Sequence, residues 1–383
     1  MKRTRVLAVG LSGNGRMRGV ERVVYESLKA IAASGKPGLE LLEIELLMGA
    51  WQDYYLDLRQ HGIRLRIVRL PNHVFFRHLF TWMVLPLWSI RFNVLHLFNT
   101  IPVTGSLAAR CIVTIHDLAE FACPQKYSAL QASYRRIVAR HLVKIADRVL
   151  TVSNFSKQQI AHYLGHTDVR VTSNGIDHIL AHKTAGVGNR EPIAGERRFD
   201  EFRDREQRPY FLYYGVIERT KGLDLALAAF AQLKYLHPEY PVEFKIVGER
   251  GNLFDDLAPF LARDDVVYLG FVDDAEIGRL IRRATAVLFV SEYEGFGFPA
   301  LEALVLEATV IIGRNTVLEE ICSPYCLVAD PYDEASIVAA MLRSLDGDTP
   351  RGLGGAARTL SERYSWSATA NALLEEYLER LRA

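Results

Sequence analysis

Two glutamates, Glu294 and Glu302, bracket the segment Gly-Phe-Gly-Phe-Pro-Ala-Leu directly after the apolar run Ala286 to Ser291. A carboxylate accepts two hydrogen bonds from a vicinal diol, so this spacing suits one Glu to a sugar and the other to a ribose. Gly295 and Gly297 let the backbone approach a ligand closely, and Pro299 suits the first position of a helix. Such a helix, starting at Pro299 after a parallel strand, turns free N–H groups toward an anion. A second set, Arg219 and Lys221, follows the run Tyr210 to Tyr214 and Gly215, again between a strand and a helix. Two cations with no evident structural partner, beside a helix N-terminus, would stabilise a departing diphosphate where a metal ion would otherwise be needed. His116 follows the apolar run Ile112 to Ile115 and is suited to bond a sugar hydroxyl or assist a proton shift. The loop Gly10 to Gly19 could present amides to a phosphate, but Arg18 stands at the third glycine position of a dinucleotide fingerprint.

These residues require strand ends to hold them. Apolar runs recur at Arg5–Gly10, Leu39–Leu47, Leu65–Leu70, Val94–Phe98, Ile112–Ile115, Val149–Ser153 and Val169–Thr172, with helical periodicity between several of them. A second series begins at Tyr210–Tyr214 and continues through Phe244–Val247, Val266–Tyr268, Ala286–Val290, Val310–Ile312 and Leu327–Val328. The tract 181–208 has no apolar period and reads as a linker or long loop. The expectation is therefore an α/β protein of two Rossmann-like domains, 1–180 and 209–365. Their parallel sheets would face a central cleft, and a terminal helix over 366–383 would cross back to the first domain.

The bulk numbers agree with that reading. A chain of 383 residues exceeds what one core usually organises. Lys+Arg 46 against Asp+Glu 45 gives no polycation for nucleic acid, and no nucleic-acid partner is expected. The four cysteines, including Cys322 and Cys326, read as buried reduced thiols rather than a zinc site, which fits a cytoplasmic compartment. The most apolar window, Leu79 to Ile90, is too short to span a bilayer and contains Pro86.

The order and spacing of the motifs resemble family 4 of the retaining glycosyltransferases, with their GT-B architecture. They are Gly19-Val-Glu-Arg, Thr114-Ile-His116-Asp117, Val152-Ser-Asn-Phe-Ser-Lys157, Asn174-Gly-Ile-Asp177, Gly215-x-x-x-Arg219-x-Lys221-Gly222, Val247-Gly248, Leu269-Gly270-Phe271-Val272 and Glu294 to Glu302. The resemblance implies that Arg219 and Lys221 bind the donor diphosphate, Glu294 the donor sugar and Glu302 the ribose, with Phe271 and Val272 at the base. Gly19, Gly215, Gly297 and Phe298 complete the nucleotide contacts, and His116 joins the reacting end. The form G-x-I-E-R-x-K-G resembles the subgroup that builds bacterial surface polysaccharides, with mannosyltransferases prominent. The common G-R pair after the strand is here Gly215-Val216, so Arg219 must supply the guanidinium.

The expected activity is transfer of a hexose, mannose favoured, from a GDP or UDP sugar to a glycan or lipid-linked acceptor, with retention and with neither metal nor cofactor. The only D-x-D, Asp346-Gly-Asp348, lies outside these loops. The rivals are a catalytically silent GT-B glycan-binding subunit, and a phosphorylase or epimerase on the same fold. A phosphorylase lacks a pyridoxal-lysine motif here. A helix over Tyr134 to Val149 is expected to bury Tyr134, Ile137, Val138, Leu142, Ile145 and Val149. It would turn Arg136, Arg140, Lys144 and Arg148 outward, where an anionic membrane on the inner face would offset their repulsion.

Overall fold

The computed structural model describes residues 3–36, 39–108, 110–177, 208–348, 350 and 353–379. The chain divides into two units, Met1–Gly175 with Arg363–Ala383, and Ile176–Glu362. All but the last residue of the tract expected as a linker, 181–208, lies outside the described residues.

The first unit is built on strands β1 (Thr4–Val9), β2 (Leu42–Gly49), β3 (Arg64–Val68), β4 (Val94–Leu97), β5 (Arg110–Ile115), β6 (Arg148–Thr151) and β7 (Val169–Val171). They form one parallel sheet in the order β3-β2-β1-β4-β5-β6-β7. Both faces are covered, so the central strands are mostly apolar and their side chains divide between two cores. Leu7 and Val9 join Leu95, Leu97 and Val113 on one face. Val6 and Ala8 join Leu28, Leu46 and Tyr377 on the other.

Tyr377 belongs to the C-terminal helix Trp366–Leu378, which packs on the Gly19–Ala33 helix of the first unit. Its buried Glu376 accepts from Arg110, Arg148 and Arg170, which lie at the starts of β5 and β6 and within β7. One carboxylate thus gathers three strands, and the arginine bonds repay its desolvation.

The second unit repeats the plan with β8 (Tyr210–Tyr214), β9 (Glu243–Val247), β10 (Val266–Gly270), β11 (Ala286–Phe289), β12 (Val310–Gly313) and β13 (Leu327–Ala329). Their parallel order is β10-β9-β8-β11-β12-β13. In each unit the strand order reverses beside the first strand, between β1 and β4 and between β8 and β11. A doubly wound sheet opens a ligand crevice outside the carboxyl ends at that point.

The helix expected over Tyr134–Val149 is shifted. It runs Ala129–Ile145, started by a capping box between Ser128 and Gln131. Arg148 and Val149 belong to β6 instead, and Arg148 pairs with Glu376 and Asp168. Tyr134 and Ile137 are exposed, and the buried side is Ala132, Val138, Ala139, Leu142 and Val143. The four-membered basic ladder is not formed. The four cysteines are buried and free.

Candidate active site

In the second unit the turn after β8 carries Arg219–Lys221 as a single 3-10 turn, and the Leu223–Leu236 helix follows. Gly222 joins them at φ +67, and a Cβ there would meet the Val290 carbonyl oxygen at 2.1 Å, so only glycine lets this turn press on the end of β11. The two strand-end loops are then tied together. The Glu292 amide donates to the Thr220 carbonyl at 3.1 Å, and Ser291 Oγ donates to the Lys221 carbonyl at 3.3 Å.

This close approach brings Lys221 Nζ to 2.5 Å from Glu294 Oε2, while Ser291 Oγ stands 3.1 Å from Glu294 Oε1. Glu294 is nearly buried, its two oxygens held by one cation and one hydroxyl. The expectation that both cations lack protein partners is therefore corrected. Arg219 also has one, the carboxylate of Asp256, and the two side chains are half exposed. Lys221 is the more buried of the two cations.

Gly297 caps the Phe298–Val305 helix at φ +85, where a Cβ would meet Leu318 Cδ2 at 2.1 Å. Pro299 is the second helical residue rather than the first, and no side chain caps this helix. A helix N-terminus with glycine at the cap favours an anion. Tyr214 Oη, at the end of β8, donates to the Pro299 carbonyl at 2.5 Å and lies 3.5 Å from Glu302 Oε2. Burial first, then the Glu302 charge, push this phenol far above the ordinary tyrosine range, so it stays a donor. Tyr214 and Ser291 went unread in the sequence. Each stands at a strand's end within sight of a motif, which is the only signal they offered.

Gly215 closes β8, its amide donating to the Val247 carbonyl at 3.0 Å. Phe271 and Val272 follow the edge strand β10, separated from β8 by β9. Adjacent strands lie about 4.8 Å apart, so these residues stand roughly 10 Å from the β8 turn. Phe271 is 73% exposed, an aromatic face open to a planar ring. Arg219, Lys221, Glu294, Gly297 and Glu302 are thus gathered at the switch point, and Phe271 and Val272 flank it.

In the first unit His116 is half-buried past the end of β5 and its Nε2 lies 2.8 Å from the Phe98 carbonyl. A carbonyl only accepts, so Nε2 carries the proton and Nδ1 is left as an acceptor. Burial lowers the proton affinity of this imidazole against the opposing pull of the Phe98 carbonyl, Asp117 and Glu21, keeping it neutral.

The Gly10–Gly19 loop beside it is held from beneath. Its carbonyls from Gly10 to Asn14 accept, in turn, from Gln52 (3.0 Å), Asn99 (3.5 Å), Trp51 (2.9 Å), Asn72 (3.2 Å) and Tyr54 (3.1 Å). Gly19 then opens the Gly19–Ala33 helix with open space around it. Among the described residues no group of three or more His, Cys, Asp or Glu is placed to hold a metal ion. Asp346 accepts from Tyr240 at 3.0 Å and Asp348 pairs with Arg343 at 2.7 Å, after the Glu334–Leu345 helix.

Two family models match the chain. Residues 196–359 match "Glycosyl transferases group 1", and residues 17–179 match "Glycosyltransferase Family 4". The chain belongs to the GT-B glycosyltransferases. The glycosyltransferase is 28% identical over 276 residues to O-antigen chain mannosyltransferase B of Escherichia coli, covering 70% of each chain. It is 24% identical over 286 residues to the serotype-specific mannosyltransferase WbdA of Escherichia coli, which is 72% of this chain but only 34% of WbdA. Among solved structures, sucrose-phosphate synthase from Thermosynechococcus elongatus aligns with a TM-score of 0.70 at 18% identity over 99% of this chain and 100% of that one. Anabaena HepE in complex with UDP and glucose aligns at 0.69 and 15% identity, over 97% and 99%. These likenesses establish the two-domain Rossmann-like fold.

Proposed function

We propose that this glycosyltransferase moves a hexose, mannose, from a nucleotide diphosphate sugar to a glycan or lipid-linked acceptor in cell-surface polysaccharide synthesis. Transfer retains the anomeric configuration and uses neither a metal ion nor a further cofactor. The observation that carries the reading is the Lys221–Glu294–Ser291 cluster beside the uncapped Phe298–Val305 helix, at the switch point of the second sheet. A diphosphate there meets an ammonium and a helix N-terminus, which oppose the charge a departing diphosphate develops. Two mannosyltransferases of Escherichia coli among the relatives support the choice of sugar and pathway class.

In the proposed reaction the bond from C1 of the sugar to the diphosphate oxygen breaks and its electron pair leaves with the diphosphate. The acceptor oxygen bonds C1 on the same face, and its proton passes to the departing phosphate oxygen. Lys221, helped by Arg219 once that side chain leaves Asp256, stabilises the leaving group. Glu294 accepts hydroxyls of the donor sugar, Glu302 the ribose diol, and Phe271 with Val272 covers the base. The first unit supplies His116 Nδ1 as a hydroxyl acceptor. The enzyme is expected to act in the cytoplasm, at the inner face of the membrane.

A thermal-shift screen against nucleotides and nucleotide sugars tests the reading, because a ligand at about 100 times its dissociation constant adds about 2.7 kcal/mol to stability. GDP and GDP-mannose should raise the melting temperature of the wild type and not of Glu302→Ala. A panel in which no nucleoside diphosphate or its sugar stabilises the protein would remove the proposal.

A further inference from the structure

Arg77 stands on the helical run Val74–Ser89, which follows β3 and has a wider turn over Phe80–Val84. Phe75 and Phe76 beside it are exposed, but Arg77 is half-buried and turned back onto the Gly10–Gly19 loop. Its guanidinium lies against Gly13. A Cβ there would meet Nη2 at 2.7 Å, Cζ at 3.0 Å and Nη1 at 3.2 Å, so glycine lets the cation close on the loop backbone. Asn72 bridges the two. Its Nδ2 donates to the Gly13 carbonyl at 3.2 Å, and its Oδ1 accepts from Arg77 Nη1 at 2.6 Å. One amide side chain thus fixes the cation and the loop to each other.

This cation has no anion. Among the described residues its hydrogen bond to Asn72 stands alone, and no carboxylate pairs with it. The surrounding chain offers none, since residues 58–116 contain seven arginines and no Asp or Glu. Burial alone shifts the proton affinity of Arg77, downward, with no carboxylate pulling the other way. A guanidinium that is partly desolvated, held in place and left with Nε and Nη2 unused presents a bidentate fork to an oxyanion. The loop beneath it leads to the hydroxyl acceptor of the first unit. Asn14, next to Gly13, donates to the buried Glu21 Oε1 at 2.8 Å, and the Glu21 charge acts in turn on His116. A carboxylate ligand has two oxygens, and the fork would occupy both. A phosphate ester keeps a further oxygen for the exposed backbone of Gly13 and Gly15.

We propose that Arg77, set in place by Asn72 and Gly13, forms a phosphate-binding subsite of the first unit, additional to the Lys221 cluster of the second. Its ligand is a phosphate ester. On the transferase reading that phosphate is carried by the acceptor, whose hydroxyl meets His116 Nδ1. The assignment to the acceptor rests on that reading, whereas the phosphate subsite itself uses none of the residues given to sugar or nucleotide.

The test is calorimetric titration of inorganic pyrophosphate into the full chain saturated with GDP, which fills the donor site. The wild type should bind one pyrophosphate. Arg77→Ala should weaken that binding at least about tenfold while keeping the wild-type GDP affinity and melting temperature. Arg77→Lys should recover part of the loss, because it keeps the charge without the fork. Asn72→Ala leaves the guanidinium present but unfixed, and should weaken binding by less than Arg77→Ala. If Arg77→Ala unfolds, Gly13→Ala carries the same comparison, since its methyl group pushes the charged guanidinium off the loop. A GDP-loaded wild type that binds no pyrophosphate, or equal binding by folded Arg77→Ala, would overturn the proposal. So would glucuronate binding more tightly than pyrophosphate, which would make the ligand a carboxylate. Displacement of pyrophosphate by phosphatidylglycerol vesicles would assign the phosphate to a bilayer head group and overturn its place on the acceptor. If GDP does not bind, the transferase reading fails, and pyrophosphate titrated into the wild type and Arg77→Ala without GDP still decides the subsite.

Discussion

Lys221 Nζ lies 2.5 Å from Glu294 Oε2, across 73 residues of chain, and this pair is the centre of the proposed donor site. Glu294 is nearly buried, and among the described residues the ammonium offsets this carboxylate together with the Ser291 hydroxyl. Lys221→Ala should lose about 10²-fold or more in kcat and also destabilise the second unit by about 1–3 kcal/mol. The double variant Lys221→Ala, Glu294→Ala should be less destabilised than the two losses added, because each single variant strands the other charge. Steady-state kinetics and urea denaturation of the three variants check both statements.

Arg219 gives the opposite pattern. It and Asp256 are half exposed, where an ion pair contributes at most about 1 kcal/mol. Asp256→Ala should therefore leave stability unchanged and keep kcat/KM within about threefold, since the guanidinium no longer has to leave its partner. Arg219→Ala should leave stability equally unchanged yet lower kcat at least about tenfold. Equal activity in the two variants would remove Arg219 from the reaction.

The two glutamates separate by ligand. Glu302, 3.5 Å from Tyr214 Oη beside the helix start, is assigned to the ribose, and Glu294 to the sugar. Calorimetric titration with GDP should show weaker binding for Glu302→Ala and near wild-type binding for Glu294→Gln, while both lose turnover with GDP-mannose. Equal loss of GDP affinity in both would erase the distinction.

Much of the fold was legible because buried parallel strands are short apolar runs, and the runs at Tyr210 and Phe244 match β8 and β9 to within a residue. The loops bearing Arg219, Lys221 and Glu294 were legible for the same reason, as glycines and charges at strand ends. What pairs with what was not. Strand order, not sequence distance, sets Lys221 on Glu294, Arg219 on Asp256, and Trp51 and Gln52 beneath the Gly10–Gly19 loop. One helix was not read from the sequence and one was misplaced. Val74–Ser89 carries exposed apolar side chains as well as buried ones and contains Pro86, so its periodicity is hidden. The Ala129–Ile145 helix abuts β6 with little between them, so Arg148 and Val149 extend its apparent pattern, although Ser128-x-x-Gln131 marks its true start.

A buried histidine makes stability depend on pH. His96 lies between Tyr377 Oη at 2.7 Å and Thr114 Oγ1 at 2.8 Å, and burial lowers its pKa to about 3. The unfolded chain takes up this proton near pH 6.5, so between about pH 6.5 and 3 the unfolded state binds more protons than the folded one. Stability should be full above pH 6.5 and fall as pH drops through that window. In His96→Gln the protein should be less stable at pH 7 but lose less on acidification. Urea denaturation at pH 7.5, 5.5 and 4.5 measures both slopes.

The central claim is retaining transfer from a nucleotide sugar without a metal, and the anomeric course of GDP-mannose turnover in EDTA tests it most directly. Proton NMR during hydrolysis in the presence of excess wild-type enzyme follows the newly released mannose before it mutarotates. The account predicts that α-mannose appears first, from an α-linked donor, at a rate that EDTA leaves unchanged and that Lys221→Ala lowers about 10²-fold. Release of β-mannose first, or turnover that stops in EDTA and returns with Mg²⁺ or Mn²⁺, would contradict it.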